Sequence, residues 1–310
     1  MNKKVVPTKT LSREEWLQLR RTGIGGSDAS VIMGINPWRS VFQLWEEKTG
    51  AVPLGDSGNE FTYWGNVMEP ILRREFMKRT GLRVRQKHAM IFHPEFSYLF
   101  ADLDGIVTEE TGEKCVFEAK TASQYKEDVW EEGVPQEYVL QVQHYLAVTG
   151  MRKAYIAALI GGNRFVYRVL YRDEGLISEL LGKEAEFWRC VREGKAPAAD
   201  ASPATGAYLN EKYRTCKGGS LALDVSFGTV LEEYDRIRQD IHRLETEQDK
   251  IVNQIKAALG HYEQGTVGER TISWKPVLRN SLDTKRLKKE KPEVYREYEK
   301  KMAYRRLTVA

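Results

Sequence analysis

Residues 101–120 read Ala-Asp-Leu-Asp-Gly-Ile-Val-Thr-Glu-Glu-Thr-Gly-Glu-Lys-Cys-Val-Phe-Glu-Ala-Lys. Apolar residues alternate on both sides of the turn at residues 109–112, which predicts a β-hairpin. Strand residues two apart face the same side of a sheet, so Glu118 and Lys120 project together. The hairpin can bring Asp104 to the same place. The sequence therefore predicts three charged side chains on one face of a strand that otherwise looks buried.

Outward from this hairpin, the apolar pattern alternates between strand and helix periods. A period of two predicts consecutive antiparallel strands near residues 82–84, 90–92 and 98–100, and two more strands around the turn Gly161-Gly162-Asn163. Helical spacing predicts helices at about 59–80, 135–149 and 175–193. This order predicts an α/β fold with a central mixed β-sheet flanked by helices.

The C-terminal third has a different pattern. Residues 195–207 have the composition of a linker, which predicts a domain at 1–200 and an extension at 208–310. Apolar residues recur at heptad spacing and predict one long helix ended by Gly260, followed by a hairpin at 265–274 and a basic helix at about 282–302. The heptad stripe must pack on that last helix, on the hairpin or on another subunit. The stripe is Ile237, Ile241, Leu244, Gln248, Ile251, Ile255 and Ala258.

The composition excludes several classes of protein. The chain has 310 residues, 41% hydrophobic and 30% charged, which suits a protein with a full core. It has no apolar run long enough to span a membrane and no apolar signal core near residue 1, so we expect a cytoplasmic protein. Its three isolated cysteines fit neither a disulfide framework nor a zinc or iron–sulfur cluster, and we expect free thiols.

The charge is unevenly distributed along the chain. The net charge is +4, but residues 270–310 carry 13 Lys and Arg against 5 Asp and Glu, so this segment alone is +8. A basic tail on a mildly acidic body suits a polyanion such as nucleic acid, although such a tail can also serve only solubility.

Two groups of residues could carry chemistry. Carboxylates such as Asp104 and Glu118 offer the hard oxygen ligands that Mg²⁺ prefers, and Lys120 beside them could orient an attacking water. The E-x-K spacing alone also fits an ordinary exposed strand. The turn Gly23-Ile24-Gly25-Gly26-Ser27 leads into a helix, whose N-terminus, with Arg20 nearby, could hold a phosphate or could be a plain helix connection.

Taken together, these motifs resemble the PD-(D/E)xK nuclease superfamily, and more narrowly the YqaJ-type viral recombination exonucleases related to phage lambda exonuclease. The resemblance runs from about Leu11 to Glu193 and implies a restriction-endonuclease-like core with a C-terminal long-helix extension. It is carried by Trp16-Leu-Gln-Leu-Arg20, Gly23-Ile-Gly-Gly-Ser27-Asp-Ala, Trp64-Gly-Asn-Val-Met-Glu69-Pro, Asp104-Gly, Glu118-Ala-Lys120 and Gln141-Val-Gln143.

The resemblance also implies roles for individual residues. Asp104, Glu118 and the carbonyl of Ala119 would bind two Mg²⁺ ions, for which Mn²⁺ could substitute. Lys120 would position the nucleophilic water, with the catalytic residues Glu69 and Gln141 around the same site. In addition, Arg20 and Ser27 would hold a DNA 5′-phosphate, and Trp16 or Tyr138 could contact DNA. The chain departs from the family at Asp102, where many members have serine, so a phosphate contact there is in doubt.

The function implied is a Mg²⁺-dependent 5′ to 3′ exonuclease that acts on double-stranded DNA ends and leaves 3′ single strands for recombination by strand annealing. A phage or prophage origin, a homo-oligomer such as a trimer and a RecT- or Beta-like annealing partner follow from the same resemblance. Two alternatives remain open: a catalytically silent DNA-binding recombination scaffold, and an endonuclease of the same fold.

Overall fold

The computed structural model describes residues 4–52, 60–300 and 304–309 of the chain. Its helices are α1 Arg13–Arg21, α2 Gly26–Ile32, α3 Val41–Thr49, α4 Glu60–Thr80, α5 Glu127–Glu132, α6 Gln136–Thr149, α7 Glu174–Glu193, α8 Pro203–Lys212, α9 Phe227–Leu259, α10 Thr284–Glu290 and α11 Pro292–Tyr298. Its strands are β1 Val5–Pro7, β2 Ile24–Gly25, β3 Arg83–Arg85, β4 Ala89–Phe92, β5 Leu99–Asp102, β6 Gly105–Thr108, β7 Lys114–Ala122, β8 Lys153–Ile160, β9 Arg164–Tyr171, β10 Gln264–Val267 and β11 Arg270–Ser273.

The central sheet has five strands in the order β3-β6-β7-β8-β9, in which only the β7–β8 pair is parallel. The chain crosses from β7 to β8 through α6, as a parallel connection requires. The prediction of a mixed sheet flanked by helices is therefore confirmed, and the hairpin at residues 101–120 is its β6–β7 pair.

The two faces of β7 pack on different helices. Cys115 and Phe117 point into a core with Phe76 of α4, whereas Val116 belongs to the core that contains Val142 of α6. Because side chains alternate along a strand, Glu118 and Lys120 lie on the α6 face. This alternation decides which helix can supply further residues to the site.

A second sheet has the order β1-β4-β5-β2, with β2 parallel to β5. The prediction of consecutive antiparallel strands at residues 82–100 is wrong for the first of them, because β3 does not pair with β4 but with β6 of the central sheet. Only β4 and β5 pair with each other. Position 59, the predicted first residue of α4, lies outside the described residues.

The chain divides into two compact units, residues 1–214 and 215–310. Helix α8 belongs to the first unit, where Tyr208 and Lys212 both bind Glu46 of α3. The predicted domain boundaries at 200 and 208 would place α8 between the units or in the extension.

The second unit contains the predicted long helix as α9, and its hairpin is β10–β11. The predicted last helix is wrong, because two short helices, α10 and α11, meet at Lys291. Pro292 disfavours helical geometry at the residue before it and cannot continue the helix; position 302 lies outside the described residues. The α9 stripe stays exposed at Ile237, Ile241 and Leu244, so neither the hairpin nor α10 and α11 cover it.

Two smaller expectations are also answered. Cys115, Cys190 and Cys216 are free thiols, as predicted. Among the residues that the structure describes, no helix is long and apolar enough to cross a membrane.

Candidate active site

A cleft of about 730 Å³ opens in the first unit, beside the β6–β7 hairpin. All the predicted site residues except Ala119 line it. They come from α1, the start of α2, α4, the β5–β6 connection, β7 and α6: Trp16, Arg20, Ser27, Glu69, Asp104, Glu118, Lys120, Tyr138 and Gln141. The structure thus brings together residues that lie more than 120 positions apart in the sequence.

Glu118, Lys120 and Gln141 form the centre of the cleft. Lys120 Nζ lies 2.7 Å from Glu118 Oε1 and 2.9 Å from Gln141 Oε1. Gln141 Nε2 donates to the same Glu118 oxygen at 2.7 Å. Burial opposes the charge on Lys120, but the carboxylates of Glu118 and Asp104 outweigh burial and raise its pKa. Lys120 therefore stays an ammonium, which can donate hydrogen bonds and orient a water but cannot act as a base.

Asp104 lies immediately before β6, whose first residue, Gly105, pairs with Phe117 of β7. The Ala119 N–H donates to Asp104 Oδ2 at 2.8 Å, which fixes this carboxylate beside β7. Burial raises the pKa of both Asp104 and Glu118, and the charge of Glu118 raises that of Asp104 further. Without a cation beside them, the two carboxylic acids therefore favour the protonated form more than free acids do.

The second oxygen of Glu118, Oε2, is buried and has no hydrogen-bond partner in the described residues. A buried carboxylate oxygen without a partner is costly unless a cation binds it. This oxygen, the crowded charge of Asp104 and the hard oxygen donors fit a Mg²⁺ site. No group of three or more His, Cys, Asp and Glu side chains able to hold a metal is found among the described residues. A metal here would be held by the carboxylates of Asp104 and Glu118, and the part of the predicted ligand set at the Ala119 carbonyl stays a prediction.

Glu69 reaches the cleft from α4. Burial and the charge of Asp104 raise its pKa to about 7, against the opposing effect of Arg73. Arg73 Nη1 lies 2.9 Å from Glu69 Oε1 and 3.0 Å from the main-chain oxygen of Asp104. One guanidinium therefore ties α4 to the loop that carries Asp104.

The glycine turn, residues 23–27, forms the opposite wall. Arg20 Nη2 donates to Ser27 Oγ at 2.7 Å, so the two residues predicted to hold a phosphate are neighbours. Helix α2 begins at Gly26, inside the glycine turn, and Asp28 accepts a hydrogen bond from the Gly25 N–H. A side chain at Gly23 would come within 2.3 Å of the Tyr98 carbonyl oxygen, so only glycine allows this approach to β5.

A buried ion-pair network holds the glycine turn from behind. Asp28 is fully buried and lies 2.8 Å from Lys48 Nζ and 3.0 Å from Arg39 Nη1. These cations overcome the cost of burial and hold the pKa of Asp28 well below its usual range. Lys48 also donates to the carbonyl oxygen of Gly23 at 2.6 Å. The network joins α2 and α3 to the turn and fixes its backbone.

Trp16 and Tyr138, the predicted DNA contacts, face the cleft from two sides. Trp16 Nε1 donates to Asp102 Oδ2 at 3.0 Å, and the Arg20 guanidinium lies 4.8 Å from the Trp16 ring. Lys120 Nζ lies 5.0 Å from the Tyr138 ring. Asp102, which replaces the serine of many family members, therefore binds an indole in this chain.

Comparison with known proteins identifies the family. Residues 15–152 match the model of the YqaJ-like viral recombinase domain. The chain is 42% identical over 304 residues to the uncharacterized protein YqaJ of Bacillus subtilis strain 168, covering 96% of this chain and 94% of that one. This chain belongs to the YqaJ family. The predicted resemblance is confirmed.

Two solved structures are similar to part of this YqaJ-family protein. An alkaline exonuclease from Laribacter hongkongensis has a TM-score of 0.49 at 20% identity, covering 58% of this chain and 93% of its own. A phage-related exonuclease from Haemophilus somnus 129PT has a TM-score of 0.43 at 13% identity, covering 58% of this chain and 100% of its own.

Sequence reasoning missed several residues that shape the site in this YqaJ-family chain. Arg73 stands four residues after Glu69, a spacing that indicates a helical ion pair and could have been noticed. Lys48, Arg39 and Tyr145 gave no such signal, because their partners are distant in sequence or lie on another element.

Proposed function

We propose that this protein is a metal-dependent deoxyribonuclease, and most specifically a 5′ to 3′ exonuclease on double-stranded DNA. The observation that carries this proposal is the hydrogen-bonded set of Glu118, Lys120 and Gln141 next to Asp104, in a cleft that also contains Arg20 and Ser27. A DNA strand is a polyanion, and its scissile phosphate needs oxygen ligands for a metal, a positioned water and a cationic anchor within one cleft.

Asp104, Glu118 and the Ala119 carbonyl would hold two Mg²⁺ ions. Mn²⁺ could substitute for Mg²⁺. When bound, the metal supplies positive charge that stabilises the charge developing on the phosphate. Lys120 donates a hydrogen bond to the attacking water, since its ammonium keeps donor capacity beyond its bonds to Glu118 and Gln141. Glu69, with a pKa of about 7, can accept a proton near neutral pH.

Arg20 and Ser27 would bind the 5′-phosphate of the strand that is degraded. Their hydrogen bond in the free protein places a guanidinium and a hydroxyl side by side at the cleft wall. A charge-assisted bond from arginine to phosphate is strong and directional. Trp16 beside Arg20 and Tyr138 beside Lys120 offer aromatic surfaces in the same cleft for bases or sugars.

The partners follow from this role. We propose that the protein acts on DNA ends in the cytoplasm of a bacterial host, together with a RecT- or Beta-like single-strand annealing protein, and that it forms a homo-oligomer. The exposed heptad stripe of α9 and the basic segment at 270–310 are the surfaces available for a partner, another subunit or DNA. The catalytically silent scaffold and the endonuclease remain the competing functions.

The first prediction tests the metal site. Glu118→Gln and Asp104→Asn each replace an anionic ligand by a neutral amide of the same shape, so both should abolish cleavage of linear duplex in Mg²⁺ while DNA binding survives. Lys120→Ala should lower turnover more than it weakens metal binding. The measurement is the release of label from duplexes marked separately at each 5′ and 3′ end, with closed circular DNA as the comparison.

Each outcome separates the competing functions. Wild-type cleavage of circular DNA would identify an endonuclease, and the absence of any cleavage by folded wild-type protein in Mg²⁺ or Mn²⁺ would favour the scaffold. If folded Glu118→Gln or Asp104→Asn cleaves DNA at nearly the wild-type rate, the assignment of these residues as metal ligands is wrong. Circular dichroism and thermal melting of each variant provide the control for folding.

A further inference from the structure

The glycine turn packs against helix α6, and Gly26 lies directly on the ring of Tyr145. A Cβ at Gly26 would lie 2.4 Å from Tyr145 Cε1 and 2.8 Å from Cζ. Real Cβ atoms do not come this close to a ring, so the backbone at Gly26 rests directly on the aromatic face or edge. Tyr145 is only 5% exposed. A shift of this ring therefore requires a shift of the turn that carries Ser27.

The hydroxyl of the same tyrosine binds the centre of the site. Gln141 Nε2 donates to Tyr145 Oη at 3.0 Å and to Glu118 Oε1 at 2.7 Å. Because an amide nitrogen has two hydrogens, these two bonds use both of them. The amide oxygen accepts from Lys120 at 2.9 Å. Each polar atom of the Gln141 amide thus has a partner, and the orientation of the amide is fixed.

We propose that Tyr145 is a positioning residue that links the glycine turn to Glu118 and Lys120 through Gln141. Its ring contacts the turn and its hydroxyl holds the amide, so the placement of the turn and the orientation of the amide are coupled. This inference rests on the proposed nuclease function. It predicts that a DNA end seated at Arg20 and Ser27 and the arrangement of Lys120 favour each other.

The test uses the full chain and a Tyr145→Phe variant, which keeps the ring and removes only the hydroxyl. The Gln141 amide then loses one acceptor in a buried site and can reorient. We expect the cleavage rate at saturating duplex to fall about tenfold or more, as for other residues that orient a site from behind. DNA affinity, measured in EDTA so that no cleavage occurs, should stay within about twofold, because Tyr145 itself binds no DNA in this proposal.

Tyr155→Phe is the matched control. Tyr155 is also a buried tyrosine, with 8% of its surface exposed, and its hydroxyl binds Glu109 outside the cleft. This variant should keep both the cleavage rate and the affinity. Gly26→Ala places a methyl group against the Tyr145 ring and should lower the cleavage rate as Tyr145→Phe does. If Gly26→Ala does not fold, Tyr145→Phe alone still tests whether Tyr145 positions Gln141.

A double-mutant cycle separates positioning through Gln141 from a general structural role. In a Gln141→Ala background the hydroxyl has no amide to hold, so Tyr145→Phe should cause no further loss of rate. Full additivity of the two losses would overturn the proposed route. A Tyr145→Phe rate equal to the wild-type rate would overturn the inference and leave the nuclease function standing. Absence of cleavage by the wild type would instead overturn the proposed function.

Discussion

At the residue scale, each polar group at the site has a distinct environment, which allows the site residues to be tested one at a time. Glu118 has one oxygen bound by Lys120 and Gln141 and the other buried without a partner among the described residues. Arg20, by contrast, binds the Ser27 hydroxyl at the cleft wall. A substitution at Arg20 should therefore affect how the DNA end is held and spare the chemistry at Glu118.

Arg20→Ala should remove a preference for 5′-phosphorylated ends. We expect the wild type to digest 5′-phosphorylated duplex faster than 5′-hydroxyl duplex. The rate on 5′-phosphorylated duplex should exceed the rate on 5′-hydroxyl duplex about tenfold or more, since a hydrogen bond to a charged group contributes about 1.5–3 kcal/mol. The variant should digest both at the slower rate. Digestion of the two substrates is compared under identical Mg²⁺ conditions, with the Arg74→Ala variant as the control for the loss of one positive charge. Equal wild-type rates would show that the glycine turn is only a helix connection.

At the element scale, buried ion pairs fix how the helices lie against the sheets. His144 of α6 lies 2.6 Å from Glu184 of α7 through Nδ1 and 2.9 Å from the Phe100 carbonyl of β5 through Nε2. A carbonyl can only accept, and a carboxylate accepts as well, so both ring nitrogens donate and the ring is charged. Burial opposes this charge, but Glu184 outweighs burial and raises the pKa of His144 above 6.5.

This pair predicts a stability that depends on pH. The pKa of His144 is higher in the folded protein than in the unfolded chain, where it is about 6.5. The ion pair therefore contributes fully to the free energy of unfolding below pH 6.5, and this contribution is lost as the pH rises through the pKa of the folded state. His144→Gln leaves Glu184 buried without a counter-charge and should cost about 3–5 kcal/mol at about pH 6. The difference in unfolding free energy between wild type and variant should shrink from about pH 6 to about pH 9. Urea unfolding of the wild type and of His144→Gln at each pH measures this difference, and His88→Gln, at an exposed histidine, is the control. A difference that stays constant or grows with pH would contradict a charged His144–Glu184 pair.

At the scale of the whole molecule, the first unit contains every residue that lines the cleft. The second unit contains a 33-residue helix with an exposed apolar stripe, together with the basic tail. The chemistry and the additional binding surface therefore belong to separate compact units, and each can be removed without cutting through the core of the other.

A chain that ends at Arg214 should fold and keep the cleavage of linear duplex. It retains α8, whose Tyr208 and Lys212 bind Glu46. If the tail binds phosphates, the truncated chain should bind duplex more weakly. Its salt dependence should also become shallower, by about 0.9 in log–log slope for each phosphate that the tail neutralises in the full chain. Fluorescence anisotropy with one duplex at several salt concentrations measures both. Equal affinity and slope in the two chains would assign the tail to a partner or to oligomerisation.

The sequence determined the local patterns, because these depend on neighbours within a few residues. The period of two around residues 101–120 indicated the hairpin, the E-x-K spacing placed Glu118 and Lys120 on one face, and the heptad spacing indicated α9. The Ser12–Glu15 capping box at the start of α1 is another such local pattern, since its two residues lie three positions apart. Motif order also sufficed to identify the family.

Only the tertiary structure decided which distant residues meet, because register and helix packing depend on the whole core. The pairing of β3 with β6 could not be read from its own alternation, which fits either sheet equally well. The ion pair of Asp28 with Lys48 and the contact of Gly26 with the Tyr145 ring also could not be read from the sequence. The sequence names a residue such as Asp28 or Gly26 but not the residue that it contacts. The charge or the glycine is required at that position because the fold brings its partner within a few ångströms.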